Sequence, residues 1–365
     1  MRVYQNIIQA RNIPHAVVTI GTFDGVHLGH QAIFKEMRRI ADEIGGETVV
    51  VTFHPHPRQV LNIGKESLRF ICTQEEKMEK FEAFGIDHVV VIPFTKEFAA
   101  TPSDQFIQRY VIDRLHPDFI VVGYDHHFGK NRMGDYAMLC ELGSRHGFKT
   151  VQVEAQYIDA VAVSSTKIRN ALSVGNVGLA NQLLGYPYSV TGTVVTGNRI
   201  GRTIGFPTAN LDFPTEFMMI NNPGVYACET CIDGVRHQAM ANIGYRPTIQ
   251  GLTENGKRNP EGLTDRMGGK TENGKLKTEN GELLTPHSSL LTPHSSLTLE
   301  VNIFDFEGDL YGQTLKVWFL DRIRDEEKFP CLDALKTQLQ HDRLEAKKIL
   351  SLSQQNKSTN KQLNK

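Results

Sequence analysis

Between residues 15 and 155 the chain alternates short valine-rich runs with amphipathic stretches, and this alternation constrains the fold more than any other feature. The runs are "HAVVTIGTF", "ETVVVTF", "HVVVIPF", "DFIVVGYD" and "TVQVEA". They are continuous apolar runs rich in β-branched residues, as expected of strands buried on both faces. The clearest intervening helix runs from Gly29 to Ile44. There Ala32, Ile33, Met37, Ile40, Ala41 and Ile44 make one apolar stripe, and Gly45-Gly46 stops it. Another helix is predicted from near Thr101, with Pro102 at its first position. Such alternation predicts a parallel sheet covered by helices on both faces. Ligands of such sheets bind outside the carboxyl ends of the strands. The unusual loops "GTFDGVHLGH", "HPHPRQ" and "GYDHHFG" follow the first, second and fourth runs, so they converge on that edge.

The first of these loops reads equally as an ordinary helix start with surface histidines or as an anion site. Gly21, Gly25 and Gly29 let backbone pass close to a bulky or charged group. His27 and His30 stand three residues apart where a helix begins, so they share a face. Helix N-terminal N–H groups favour an anion, and two imidazoles beside them supply donors to phosphate oxygens. "SSTKIR" adds a second loop-to-helix junction, with the hydroxyls of Ser164, Ser165 and Thr166 and the guanidinium of Arg169. Alone, that string reads as an N-cap with surface cations. Paired with "HLGH" in an α/β domain, it points to a nucleoside triphosphate.

From about Tyr188 the grammar changes to period-two alternation broken by Gly, Pro and Asp: "YSVTGTVVTG", "GVYACETCIDG", "RHQAMANIG", "LTLEVNIFDF" and "QTLKVWFLD". This predicts an antiparallel β barrel. A final helix is expected from about Cys331 to Leu350, then a polar, frayed tail. Within "GNRIGRTIGFPTANLDF", Gly197, Gly201 and Gly205 recur every four residues and permit a backbone-lined anion site. Thr208 and Asn210 add oxygen ligands suited to Mg²⁺, although taken alone the string reads first as a glycine-rich hairpin with a Pro turn. Cys228 and Cys231 form a lone C-x-x-C on a strand entering the Asp233-Gly234 turn, where residues three apart face opposite ways, against a zinc site. Between Ile249 and Leu297 the chain repeats "TENGK" and "LLTPHSS", lacks aromatics and balances its charges, which predicts a disordered insertion. Its "GGKT", Gly268 to Thr271, is no phosphate loop, because Thr264 stands where that motif needs Gly. His287 and His294 are repeat copies, expected to be solvated.

At 365 residues the chain has room for two domains. Its formal net charge of −1 argues against a general nucleic-acid binder. No apolar run is long enough to span a membrane, and the first residues lack a signal-peptide core. Five cysteines, an odd number without a disulfide framework, predict the reducing cytoplasm. The sequence leaves self-association open.

Taken in order, "GTFDGVHLGH", "TFHPHP", "VVGYDHHFG", "SSTKIR", "GRTIGFPTAN", "PGVYA", "ANIGYRPT", "LEVNIFDF" and "DLYGQ" resemble the prokaryotic bifunctional riboflavin kinase/FMN adenylyltransferases, or FAD synthetases. The resemblance covers residues 1 to about 350 apart from the insertion. It implies a nucleotidyltransferase-type, Rossmann-like α/β domain over residues 1–184. A riboflavin-kinase antiparallel barrel with a terminal helix would follow over 185–350, then a polar tail over 351–365. The barrel would phosphorylate riboflavin with ATP, and the first domain would join FMN to AMP from a second ATP, releasing pyrophosphate. By motif, His27 and His30 would stabilise the phosphates, with Gly21, Phe23, Asp24, Gly29, Ser164, Ser165, Thr166 and Arg169 around ATP. Gly123 and Asp125 would contact its nucleoside. In the kinase, Gly201, Gly205 and Pro207 would line the ATP site, Thr208 and Asn210 would organise Mg²⁺-ATP, and Glu300 would be the base. Riboflavin, FMN and ATP are the partners implied.

Two departures stand out. His126 and His127 replace the family's usual aromatic and Arg or Thr, and the insertion enters close to Glu300. "HLGH" with a Ser/Thr-Lys loop is also similar to class I aminoacyl-tRNA synthetases, but those need an anticodon-binding region and usually a basic surface. A barrel that only binds flavin, beside an adenylyltransferase, is the other alternative. Thr208, Asn210 and Glu300 argue against it, because binding alone needs neither metal ligands nor a base.

Overall fold

The computed structural model describes residues 1–10, 12–61, 69–197, 200–214, 217, 219–220, 222–246 and 296–363. The first half holds a six-stranded, all-parallel sheet. Its strands are β1 (Arg2–Tyr4), β2 (Val17–Ile20), β3 (Thr48–His54), β4 (His88–Pro93), β5 (Phe119–Gly123) and β6 (Lys149–Val153). The order is β1-β4-β3-β2-β5-β6, so β2 and β5, distant in sequence, are neighbours at the point where the strand order reverses. Side chains alternate across the sheet. Val18, Ile20, Val49, Val51, Ile120 and Val122 face one core. Val17, Val50, Val89 and Val121 face the other, against Ile33, Phe34, Met37 and Ile40 of helix α1 (Leu28–Ile44). Each fully buried side chain of this size contributes about 1.5–3 kcal/mol. Helix α1 ends as expected, with Gly45 left-handed at φ 65°.

Two details differ from expectation. The edge strand β1 carries too short a run to be read alone, and its pairing with β4 defines it. The helix near Thr101 begins at Ser103 with Pro102 as its cap, and passes through a π-helical stretch, Ile107–Ile112.

After helix α2 (Gln74–Ala83), helix α3 (Tyr136–His146) and the small hairpin β7 (Tyr157–Ile158) and β8 (Val161–Ala162) come helices α4 (Ser165–Ser173) and α5 (Val177–Leu184). The second half is a closed antiparallel barrel. Its strands are β9 (Tyr188–Val195), β10 (Ala209–Asp212), β11 (Gly224–Ile232), β12 (Val235–Arg246), β13 (Ser296–Ile303) and β14 (Thr314–Asp325). Asp233 and Gly234, both at positive φ, form the two-residue turn between β11 and β12. Leu299, Val301, Ile303, Val317 and Phe319 fill the interior, as does Cys228, a free thiol like Cys231.

Helix α6 (Leu332–Leu363) covers the outside of β11, β12 and β14 through Ala346 and Leu350. It continues beyond the expected end near Leu350, because the polar residues that follow include no Gly or Pro to stop it. Its buried anchors do stop there, and Ser351 and Leu352 are exposed. Of the predicted insertion, Ser296 and Leu297 belong to β13. Everything from 249 to 295, with the Gly268–Thr271 match, His287 and His294, lies outside the described residues.

Candidate active sites

At the carboxyl ends of β2 and β5 lies a cavity of about 740 Å³. Every residue expected for the first site lines it: Gly21, Phe23, Asp24, His27, Gly29, His30, Gly123, Asp125, Ser164, Ser165, Thr166 and Arg169. The turn after β2 is held in an unusual shape, with Phe23, Gly25 and Val26 at φ 51°, 80° and 36°. A non-glycine residue held there costs about 1–3 kcal/mol and persists only where its surroundings over-determine it. Glycines make the packing possible: a Cβ on Gly21 would stand 2.9 Å from the Phe23 ring, and one on Gly29 3.2 Å from the His27 ring.

His27 caps α1. Its Nδ1 accepts from the His30 amide at 3.4 Å, which leaves the ring proton on Nε2. The His27 and His30 rings stack 3.6 Å apart, and His30 Nδ1 is buried without a protein partner. Burial, with the Arg169 charge adding to it, pushes the His27 pKa down to about 4. Burial also carries His30 well below the ordinary imidazole value, with His27 and Lys77 contributing. The pair is therefore neutral at pH 7 and offers N–H donors without fixed charge.

Asp24 and Arg169 are engaged with each other. Arg169 Nη2 donates to the buried Asp24 carboxylate, and its Nε donates to Arg69 O at 3.3 Å. Asp24 also accepts from the Ile71 amide at 3.1 Å. Burial raises the Asp24 pKa against the pull of Arg169. Ser164 caps α4, and Ser165 Oγ donates to Asp24 O at 3.0 Å, which ties the two phosphate-type loops together.

The other half of the cavity is aromatic. Phe53, Phe94, Phe98, Phe106 and Phe128 line it, with neighbouring ring centroids 5.5–6.3 Å apart. Sequence reasoning missed this wall, although Phe53 and Phe94 stand at or just past a strand end and Phe128 lies in the loop after β5. His126 stacks on Phe128 at 5.6 Å, and burial, with His127 and Arg132, takes its pKa down to about 4. His56 caps the short helix Pro57–Val60, and burial takes its pKa to about 3. A flat ring system and a polyanion would each find matching walls in this one cavity.

The second cluster sits on the outer face of the barrel. In β13, Leu299, Val301 and Ile303 point inward, and Glu300 faces outward. Glu300 pairs in register with Asn210 on β10 and with Asn242 on β12. Thr208 Oγ donates to Glu300 Oε2 at 3.5 Å, and Asn302 Nδ2 donates to Pro207 O at 2.7 Å. A Cβ on Gly201 would stand 2.2 Å from Phe206 O, and Gly205 has φ 83°, so this turn needs both glycines. Asn242, beside Glu300, was not singled out from the sequence, because cross-strand register is not a local signal.

Comparison with known proteins assigns the two halves. A family model for FAD synthetase matches residues 9–167, and one for riboflavin kinase matches 184–260 and 286–350. A bifunctional riboflavin kinase/FMN adenylyltransferase of Haemophilus influenzae is 35% identical over 91% of this chain and 93% of its own length. The chain belongs to this bifunctional family. The relative of the same description from Bacillus subtilis is 34% identical, over 92% of this chain and 93% of its own. A crystal structure described as a macrolide-efflux protein from Streptococcus pneumoniae has TM-score 0.75 at 29% identity, covering 94% of this chain and 98% of that one. Among the described residues no helix is long and apolar enough to cross a membrane. His27 and the serines of "SSTKIR" fall inside the FAD-synthetase match, and Thr208, Asn210 and Glu300 inside the riboflavin-kinase match.

Proposed function

We propose that the chain divides at residues 184/185 and makes FAD from riboflavin in two steps, one in each half. In the barrel, Glu300 accepts the proton of the riboflavin 5′-hydroxyl as its oxygen attacks the ATP γ-phosphorus. The bridging P–O bond breaks, and FMN and ADP result. Thr208 and Asn210, as oxygen donors beside a carboxylate, fit Mg²⁺, which would screen charge on the ATP phosphates. In the first domain, an FMN phosphate oxygen attacks the α-phosphorus of a second ATP and pyrophosphate leaves. The Nε2–H of His27 donates to the phosphate oxygens, Ser164, Thr166 and the α4 N-terminus hold the triphosphate, and the phenylalanine wall takes the flavin ring.

The observation that carries this reading is the gathering of every expected first-site residue, with an aromatic wall, around one cavity. The Thr208–Glu300 contact favours a working kinase over a barrel that only binds flavin. Five free cysteines suit a reducing cytoplasm. Incubation with riboflavin, ATP and Mg²⁺ should yield FMN first and then FAD, resolved by chromatography. FAD from supplied FMN without any FMN from riboflavin would reduce the barrel to a binding module.

A further inference from the structure

The turn that carries His27 is held at each carbonyl from Thr22 to His27. Thr22 O accepts from Lys77 Nζ at 3.2 Å, and Phe23 O from the Val26 amide at 3.2 Å. Asp24 O accepts from Ser165 Oγ at 3.0 Å. Val26 O accepts from Gln31 Nε2 at 2.9 Å, and His27 O from the Gln31 amide at 3.0 Å. Gly25 O accepts from the hydroxyl of Tyr186. Of these donors, Tyr186 is the one that lies beyond residue 184, in the segment leading into the barrel.

The Tyr186 ring is itself held by a cation. Lys80 Nζ of α2 stands 3.4 Å from its ring centroid. The same helix carries Glu76, whose Oε1 accepts from Ser189 Oγ of β9 at 3.1 Å and from Lys316 Nζ of β14 at 2.9 Å. Gln31 Nε2, which holds Val26 O, also donates to Leu184 O at 2.8 Å. Barrel strands, α2 and the turn thus form one connected set. Burial raises the Tyr186 hydroxyl well above its ordinary pKa, with Cys72, Glu76 and Asp24 adding to it, so it remains a donor.

Resting on the reading of the first half as the adenylyltransferase, we propose that Tyr186 is a positioning residue for adenylyl transfer. Through its hydroxyl the docked barrel fixes the Gly25 carbonyl, and with it the turn that presents His27 and His30 to the cavity. Once the Gly25 carbonyl is released, its peptide is held, among the described residues, only through the hydrogen bond of the Val26 amide to Phe23 O, and glycine at φ 80° lets it tilt about that one tie. Small displacements of groups that meet the reacting phosphates are costly in rate, by up to about 100-fold for 1 Å. Flavin binding on the phenylalanine wall does not pass through this turn.

The test is Tyr186→Phe in the full chain, which keeps the ring under Lys80 and removes only the hydroxyl. Adenylyl-transfer kcat is expected to fall by about 10- to 100-fold. KM for FMN should stay within about twofold, and riboflavin phosphorylation by the same protein should be unchanged. Should this variant fail to melt cooperatively, Lys80→Met takes its place, with the same kcat-selective loss expected in smaller measure. A Tyr186→Phe protein with parental kcat overturns the proposal. So does a parallel loss of both activities, which would mark a merely structural tyrosine. Absence of FAD formation in the parent protein would instead sink the adenylyltransferase reading itself.

Discussion

His27 uses Nδ1 to cap α1 and keeps Nε2–H for the cavity, so one side chain both starts the helix and faces the ligand site. Its low pKa has a consequence for stability. The folded value is about 4, against 6.5 for an exposed imidazole, so between those values the unfolded chain binds the extra proton. Stability is therefore full above about pH 6.5 and falls as the pH drops toward 4, by about 3 kcal/mol for this group alone. In urea unfolding the parent should weaken over that window, and His27→Asn, which retains a capping side chain, should weaken less. Equal pH slopes in the two proteins would show that His27 is not held neutral by burial. The spacing of His27 and His30 was readable as a shared face. Their stacking and neutrality were not, because both depend on burial by the folded chain, with the charges of Arg169 and Lys77, far away in sequence, adding to the neutrality.

Strands β2 to β5 were readable because each carries a continuous valine-rich run, the edge strand β6 because its two valines alternate with polar residues, and α1 because its stripe and its Gly45 stop agree. The outward face of Glu300 also follows from period two in "LTLEV". The phenylalanine wall does not: Phe53, Phe94, Phe98, Phe106 and Phe128 come from separate segments that meet only because parallel strands end on one edge. The last turns of α6 are not legible for a related reason, since apolar periodicity marks where a helix packs rather than where it stops. Besides Ala346 and Leu350, a buried ion pair helps pin α6 to the barrel. Arg324 donates to Asp342 through Nε and Nη2, both at 2.8 Å, and Gln338 adds a bond at 2.9 Å. Asp342 is 1% exposed. Asp342→Ala leaves the guanidinium without its carboxylate and should cost about 3–5 kcal/mol. The expected result is a lower melting temperature, and an unchanged one would place the anchoring of α6 in its other contacts, Ala346 and Leu350 first among them.

Across the whole molecule, the two halves differ in how they build their candidate sites. The α/β half gathers loops at the edge of a parallel sheet, where helix N-termini and neutral imidazoles face a cavity. The barrel sets a carboxylate, two amides and a hydroxyl in register on the outer face of neighbouring strands and the turn beside them. Tyr186, Gln31 and Glu76 join the halves at the back of the first site. Those three contacts involve none of Glu300, Thr208 and Asn210 among the described residues, so the two chemistries should be separable although the domains are docked. The direct measurement is a reciprocal assay of FMN formation from riboflavin and FAD formation from supplied FMN. It uses Glu300→Gln and the double variant His27→Ala, His30→Ala, each shown to melt cooperatively. Glu300→Gln should lose about 10²–10⁴ in FMN formation and keep FAD formation near the parent rate. The histidine variant should make FMN normally and little FAD. Joint loss of both activities in either folded variant would contradict two separate sites.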